Sequence, residues 1–197
     1  MTPAPRGPRG AGSDTRAEIL AAAANVFVRD GYSASMRAVA RAAGVDPALV
    51  RHWFGSKLEL FVTALRPAER DDPRLARLIE VPEDELGAAL VDQFLRLWDD
   101  PVDGVRMRTV LRTAIAFDEV ADAVRGVMMN DVMLQVLLAR GYDEDDALLR
   151  ASLVGSQMIG LAVARHLLGF SRLEEAPRAD LVAIYGPTVQ RYLTQDL

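Results

Sequence analysis

A chain of 197 residues, half of them hydrophobic, can bury one or two cores, and its 26% of charged residues keeps it within the globular class. Cysteine is absent, which removes disulfides, cysteine–zinc sites and thiol catalysis together. The net charge of −5 is unevenly spread: residues 1–66 carry nine basic and five acidic side chains, net +4, and residues 67–197 carry fourteen and twenty-three, net −9, so a basic head on an acidic body points toward a polyanion.

Residues 1–13 are Pro-, Gly- and Arg-rich and read as a disordered arm. Thr15 and Glu18 have capping-box spacing and open a first helix, which Gly31 closes. Its face of Ile19, Ala23, Val26 and Phe27 is amphipathic, and Glu18 and Asn25 interrupt any resemblance to a secretion signal. The stretch 35–57, SMRAVARAAGVDPALVRHWFGSK, then has the grammar of a helix-turn-helix. Ser35 caps a short helix with an apolar face of Met36, Val39, Ala40 and Ala43. Gly44 turns the chain, Asp46 caps a second helix and Pro47 takes its first position, where a missing N–H costs nothing. Val50 and Phe54 point inward, four residues apart, which leaves Ala48, Leu49, Arg51, His52 and Trp53 outside. Gly55 ends that helix, and Ser56 and Glu59 open the next, with Lys57 in its first turn. A plain helical hairpin would show Glu and Lys on its outer face. Arg, His and Trp are instead side chains that meet phosphates and base edges.

This segment resembles the DNA-binding domain of the TetR (tetracycline-repressor) family. The resemblance extends upstream through TRAEILAAAANVFVRDGY at 15–32 and downstream through HWFGSKLELF at 52–61. The tail APRADLVAIYGPTVQRYLT at 176–194 is similar to those of actinobacterial members. Two positions depart from the family pattern: Arg51 stands where Tyr is usual, and Trp53 where His is usual. The resemblance implies a helix-turn-helix domain over 14–60 and an effector-binding and dimerisation domain over 61–197. On this reading Ser35, Arg37, Trp53 and Lys57 hold phosphates. Leu49, Arg51 and His52, with Ala48 beside them, meet bases, and Arg51 can fork on a guanine.

The body reads as helical throughout, so the fold class is all-α. Residues 70–82 contain two prolines and read as a loop. Helices follow from about 82 (Leu86, Leu90, Phe94, Leu97, Trp98 on one face), over 103–117, over 119–140, over 145–168 and over 177–194. Pro187 falls inside the last of these and predicts a kink. The longest uncharged run, Ala151–Ala164, is fourteen residues, which suits a buried helix better than a membrane span. Ser152, Ser156, Gly160 and Ala164 recur every four residues as a small-residue ridge that lets another helix approach. The resemblance assigns this ridge, with Val189 and Tyr192 of the last helix, to a homodimer interface; packing inside one subunit is the competing reading. Phe94, Trp98, Met107, Leu111, Met128, Met129, Met133 and Met158 are candidate linings of an effector pocket, because aromatic and thioether side chains suit adaptable apolar sites. Gln157 is the polar member of that set. Arg106, Arg108 and Arg112 form either a solvated face or a seat for an anion, and His166 beside Arg165 is expected at the interface edge.

The expectation is a cytoplasmic, homodimeric transcriptional regulator that binds a double-stranded operator and is released from it by a small molecule. Control by a protein partner is the alternative. An enzyme is a weaker third: two histidines, no glycine-rich phosphate loop and no metal-ligand spacing leave no catalytic or metal residue to name, and no cofactor. The sequence carries no membrane partner.

Overall fold

The computed structural model describes residues 13–66, 73–127 and 133–195. Residues 1–12 of the expected arm therefore lie outside the described residues, as do Met128 and Met129. Among the described residues there is no strand, and the all-α reading holds. The chain forms two compact units that divide between Leu65 and Arg66.

The first unit holds α1 (Ser13–Asp30), α2 (Met36–Ala43), α3 (Pro47–Phe54) and α4 (Lys57–Leu65). α1 begins two residues before the Thr15 that was expected to cap it, so Thr15 lies inside the first turn and Ser13 belongs to the helix, not to an arm. The inward residues are the periodic ones. Ile19, Ala23, Val26 and Phe27 of α1 meet Val39 and Ala40 of α2, Val50 and Phe54 of α3, and Leu60, Phe61 and Leu65 of α4, all essentially inaccessible. Aromatic edges organise the centre. The Phe27 and Phe61 rings lie 5.1 Å apart and those of Tyr32 and Phe61 4.9 Å apart, both edge to face, the preferred geometry for ring quadrupoles.

The second unit holds α5 (Pro73–Glu80), a 3-10 turn (Glu83–Glu85), α6 (Leu86–Asp99), α7 (Asp103–Ala116), α8 (Asp118–Gly126) and α9 (Leu134–Ala139). It continues with α10 (Glu144–Ala162), a π turn (Val163–Leu167), α11 (Ser171–Glu175) and α12 (Arg178–Thr194). The loop expected over 70–82 is corrected by α5. Pro73 starts this helix instead of breaking it, because its missing N–H falls in the first turn. Leu78 is buried, and Arg140 ties down the end of α5 by donating to the carbonyls of Leu78, Ile79 and Val81 at 2.9, 3.3 and 2.6 Å. Within the expected helix 119–140, residues 128–132 lie outside the described set, and α8 and α9 flank them.

The core of this unit is built from α6, α9, α10 and α12. α6 and α12 cross very closely at Gly87. A methyl group there would sit 2.5 Å from the Gln190 nitrogen and 2.6 Å from the Gly186 carbonyl oxygen. The Gln190 side chain closes the crossing, accepting from Gly87 N–H at 2.7 Å and donating to the Glu83 carbonyl at 2.7 Å. The buried Arg150 pairs with Asp146 at 2.8 Å and donates to the Tyr192 and Gln195 carbonyls, both at 3.0 Å. Those carbonyls lie at and just beyond the C-terminal end of α12, where intrahelical donors run out. The span 144–167 is long and apolar enough to cross a membrane, but it packs Ala147, Ala151, Val154, Met158 and Leu161 into this core.

Candidate nucleic-acid interface

The reader is assembled by local signals that act as expected. Ser35 is extended and its hydroxyl accepts from Ala38 N–H at 3.2 Å. Gly44 has φ 67°, the left-handed conformation only glycine enters freely. There Val45 N–H reaches the Ala40 carbonyl and Gly44 N–H the Arg41 carbonyl, the paired bonds of a Schellman termination. The Asp46 carboxylate accepts from Ala48 N–H at 2.7 Å, and Ser56 Oγ accepts from Glu59 N–H at 3.0 Å. These caps fix where α2, α3 and α4 begin, and so which residues face out.

α3 buries Val50 and Phe54 and exposes Ala48, Arg51, His52 and Trp53, with Leu49 half-buried at the edge. Ser35 and Arg37 are exposed at the start of α2. Lys57 is half-buried at the start of α4, its ammonium 4.0 Å from the centre of the Tyr32 ring. The His52 and Trp53 rings meet edge to face at 5.8 Å. Among the described residues no acid pairs with Arg37, Arg51 or Lys57, so their charge is not cancelled within the unit. One cation went unnoticed in the sequence. Arg16, exposed in the first turns of α1, holds its guanidinium 5.3 Å from the centre of the Phe54 ring, beside the C-terminal end of α3. Nothing local joins two residues so far apart in the chain.

The candidate effector residues are spread through the second unit. Trp98 and Met158 are buried, whereas Phe94, Met107, Leu111, Met133 and Gln157 are half-buried. Phe94 and Trp98 lie 5.5 Å apart, ring to ring. His166, expected at an interface edge, is half-buried in the π turn and stacks on Trp98, while its neighbour Arg165 pairs with Asp99 at 3.1 Å. Arg106 pairs with Asp103 at 3.4 Å, Arg108 reaches the Trp98 carbonyl at 3.4 Å, and Arg112 is exposed. Of the candidate interface residues, Ser152, Ser156 and Gly160 are exposed, Ala164 and Tyr192 are half-buried, and Val189 is fully buried. Val189 is therefore removed from that set: it lies on the face of α12 that forms its own subunit's core. Large apolar side chains flank the exposed ridge, with Leu149 51%, Ile159 38% and Ile184 67% accessible.

Comparison with known proteins follows the same division. Residues 19–64 match the model of the tetR family of bacterial regulatory proteins, and residues 84–193 match that of the tetracyclin repressor-like C-terminal domain. The chain is 28% identical over 165 residues to the HTH-type transcriptional regulator CymR of Pseudomonas putida, covering 76% of this chain and 78% of that one. Among solved structures it is similar to a TetR-family regulator of Streptomyces coelicolor, with a TM-score of 0.70 and 30% identity over 96% of this chain and 100% of that one. It also shares its fold with the multidrug-binding protein EbrR, solved in complex with imidazole, with a TM-score of 0.66, 18% identity, and coverage of 97% and 99%.

Proposed function

Taking as premise that the chain belongs to the TetR family of DNA-binding transcriptional regulators, we propose that it is a homodimeric repressor acting in the cytoplasm and released from its operator by a small molecule. The observation that carries the reading is the outward set on α2, α3 and the start of α4: Ser35, Arg37, Ala48, Leu49, Arg51, His52, Trp53 and Lys57. Phosphate contacts from Ser35, Arg37, Trp53 and Lys57 set position and orientation, and Leu49, Arg51 and His52 read base edges in the major groove. Arg51, a planar fork on the exposed side of α3, suits the O6 and N7 acceptors of guanine.

One such helix covers only a few base pairs. Two, related by a twofold axis, read a pseudo-palindrome with half-sites one turn of DNA apart. The exposed positions of α10 recur at intervals of three and four (Leu149, Ser152, Ser156, Ile159, Gly160), and those of α12 do likewise (Asp180, Ala183, Ile184, Pro187, Arg191). The hydroxyls of Ser152 and Ser156 bond to carbonyls of their own helix at 2.7 Å, and a methyl group on Gly160 would meet nothing within 4 Å. Such a ridge, low in the middle and apolar at its sides, admits the corresponding helices of a second copy.

An effector held in the second unit, near Phe94, Trp98, Met107, Leu111, Met133 and Gln157, acts by binding better to a dimer whose readers are wrongly spaced. A difference of a few kcal/mol between the two states suffices to empty an operator. The relatives matched above are transcriptional regulators, which supports regulation over catalysis. Selection of bound sequences from a random duplex pool tests the reading. A pseudo-palindrome is the expected outcome, and enrichment of no sequence would defeat it.

A further inference from the structure

We propose that Tyr32 is a positioning residue that holds the Lys57 ammonium in place for a DNA phosphate. The inference rests on the reading of Lys57 as a phosphate contact. Lys57 is the only lysine in the chain, so this one ammonium is not a member of a diffuse lysine field. It is the first residue of α4, and its Nζ lies 4.0 Å from the centre of the Tyr32 ring. That is well inside the distance at which an aromatic face attracts a cation.

The ring is itself buried and packed on its edge. Tyr32 is 4% accessible and directly follows Gly31, whose φ of 73° turns the chain out of α1. The edge of the ring packs on Phe61, which packs in turn on Phe27, and both phenylalanines are inaccessible. Phe61 and Lys57 share α4, so the helix that supplies the ammonium also wedges the ring that receives it.

A lysine stem has four rotatable bonds, and ordering it on binding costs entropy. A carboxylate could order the stem too, but it would cancel the charge and compete with the phosphate. Among the described residues Lys57 has no such partner. An aromatic face holds the cation while leaving its full charge and its outward N–H donors for an oxygen of the backbone. Tyr32 therefore prepays the ordering of Lys57 without weakening it.

Reductive methylation with carbon-13 formaldehyde converts Lys57 to a dimethylated amine that keeps its charge, and Lys57→Arg identifies its resonance against that of the α-amino group. The expected N-methyl signal is shifted upfield by the ring in the wild type and in Tyr32→Phe, and returns to the position of a solvated lysine in Tyr32→Leu. Binding of a random-sequence duplex across a salt series supplies the second readout. Lys57→Gln removes one phosphate contact from each reader of the proposed dimer, so it lowers affinity and reduces the salt slope by about 1.8 per dimer. Tyr32→Leu lowers affinity about threefold with the slope retained, and Tyr32→Phe binds as the wild type does. Should Tyr32→Leu not fold, Tyr32→Met fills the site without an aromatic face and carries the same expectations. An unshifted wild-type signal, or wild-type binding by the Leu or Met variant when Lys57→Gln is weakened, overturns the proposal. Wild-type binding by Lys57→Gln overturns instead the phosphate role on which it rests.

Discussion

His166 lies flat on Trp98, the ring centres 5.2 Å apart and the planes 15° from parallel. The pair joins the π turn after α10 to the end of α6. It does so with a defect on each side, since Trp98 Nε1 and His166 Nε2 are buried without a hydrogen-bond partner among the described residues. Gly104 has room for no side chain there, because a methyl group would collide with the Trp98 carbonyl oxygen.

This environment makes stability depend on pH in a defined direction. Burial lowers the His166 pKa below its ordinary 6.5, and the nearby Arg165 lowers it further, against a smaller opposing pull from Asp99. The unfolded chain therefore takes up the proton first, and folding stability falls as the pH drops below about 6.5. The thermal midpoint of the wild type is expected to fall from about pH 7 to about pH 5 by more than that of His166→Phe, which keeps the stack and removes both the titration and the orphaned nitrogen. Parallel pH profiles for the two proteins would contradict this.

Arg51 is exposed on α3 without an acid partner among the described residues. Arg51→Ala should cost about 1–3 kcal/mol of operator affinity and relax the preference at one base pair of each half-site. Arg51→Lys should recover charge but not the fork, and so restore nonspecific binding better than selectivity. Competition between operator and single-base variants measures both.

Gly87 makes the α6–α12 crossing possible. Gly87→Ala would press a methyl group against the backbone of Gln190 and Gly186, which has no rotamer to move. The expected loss is about 1–3 kcal/mol, read as a lower urea midpoint with little change in m.

Ile184 is 67% accessible on the outer side of α12. Ile184→Glu should leave the subunit helical by circular dichroism and shift sedimentation from dimer to monomer, with operator affinity falling alongside. A variant that stays dimeric would place the subunit contact elsewhere.

The reader was legible because its information is local. Ser35, Asp46 and Ser56 accept from N–H groups two or three residues ahead, and Gly44 ends its helix through bonds to Ala40 and Arg41. Such bonds depend on spacing alone, so the outward direction of Arg51 and His52 followed from counting. Residues 70–82 misled because a proline reads as a break unless its place in the turn is known. α12 misled in another way: it is apolar on two sides, and no periodicity says which side its own subunit takes.

The caps that bound α2 and α3 and open α4, and the basic outer face of α3, are therefore properties of the amino-acid sequence itself, since each is set by bonds and charges within one or two turns. Only the tertiary structure decided that Val189 turns inward and Ile184 outward, that His166 stacks on Trp98, and that Lys57 rests on Tyr32. Those pairings join residues distant along the chain. They follow from how closely helices can approach, which depends on the side chains of both partners together.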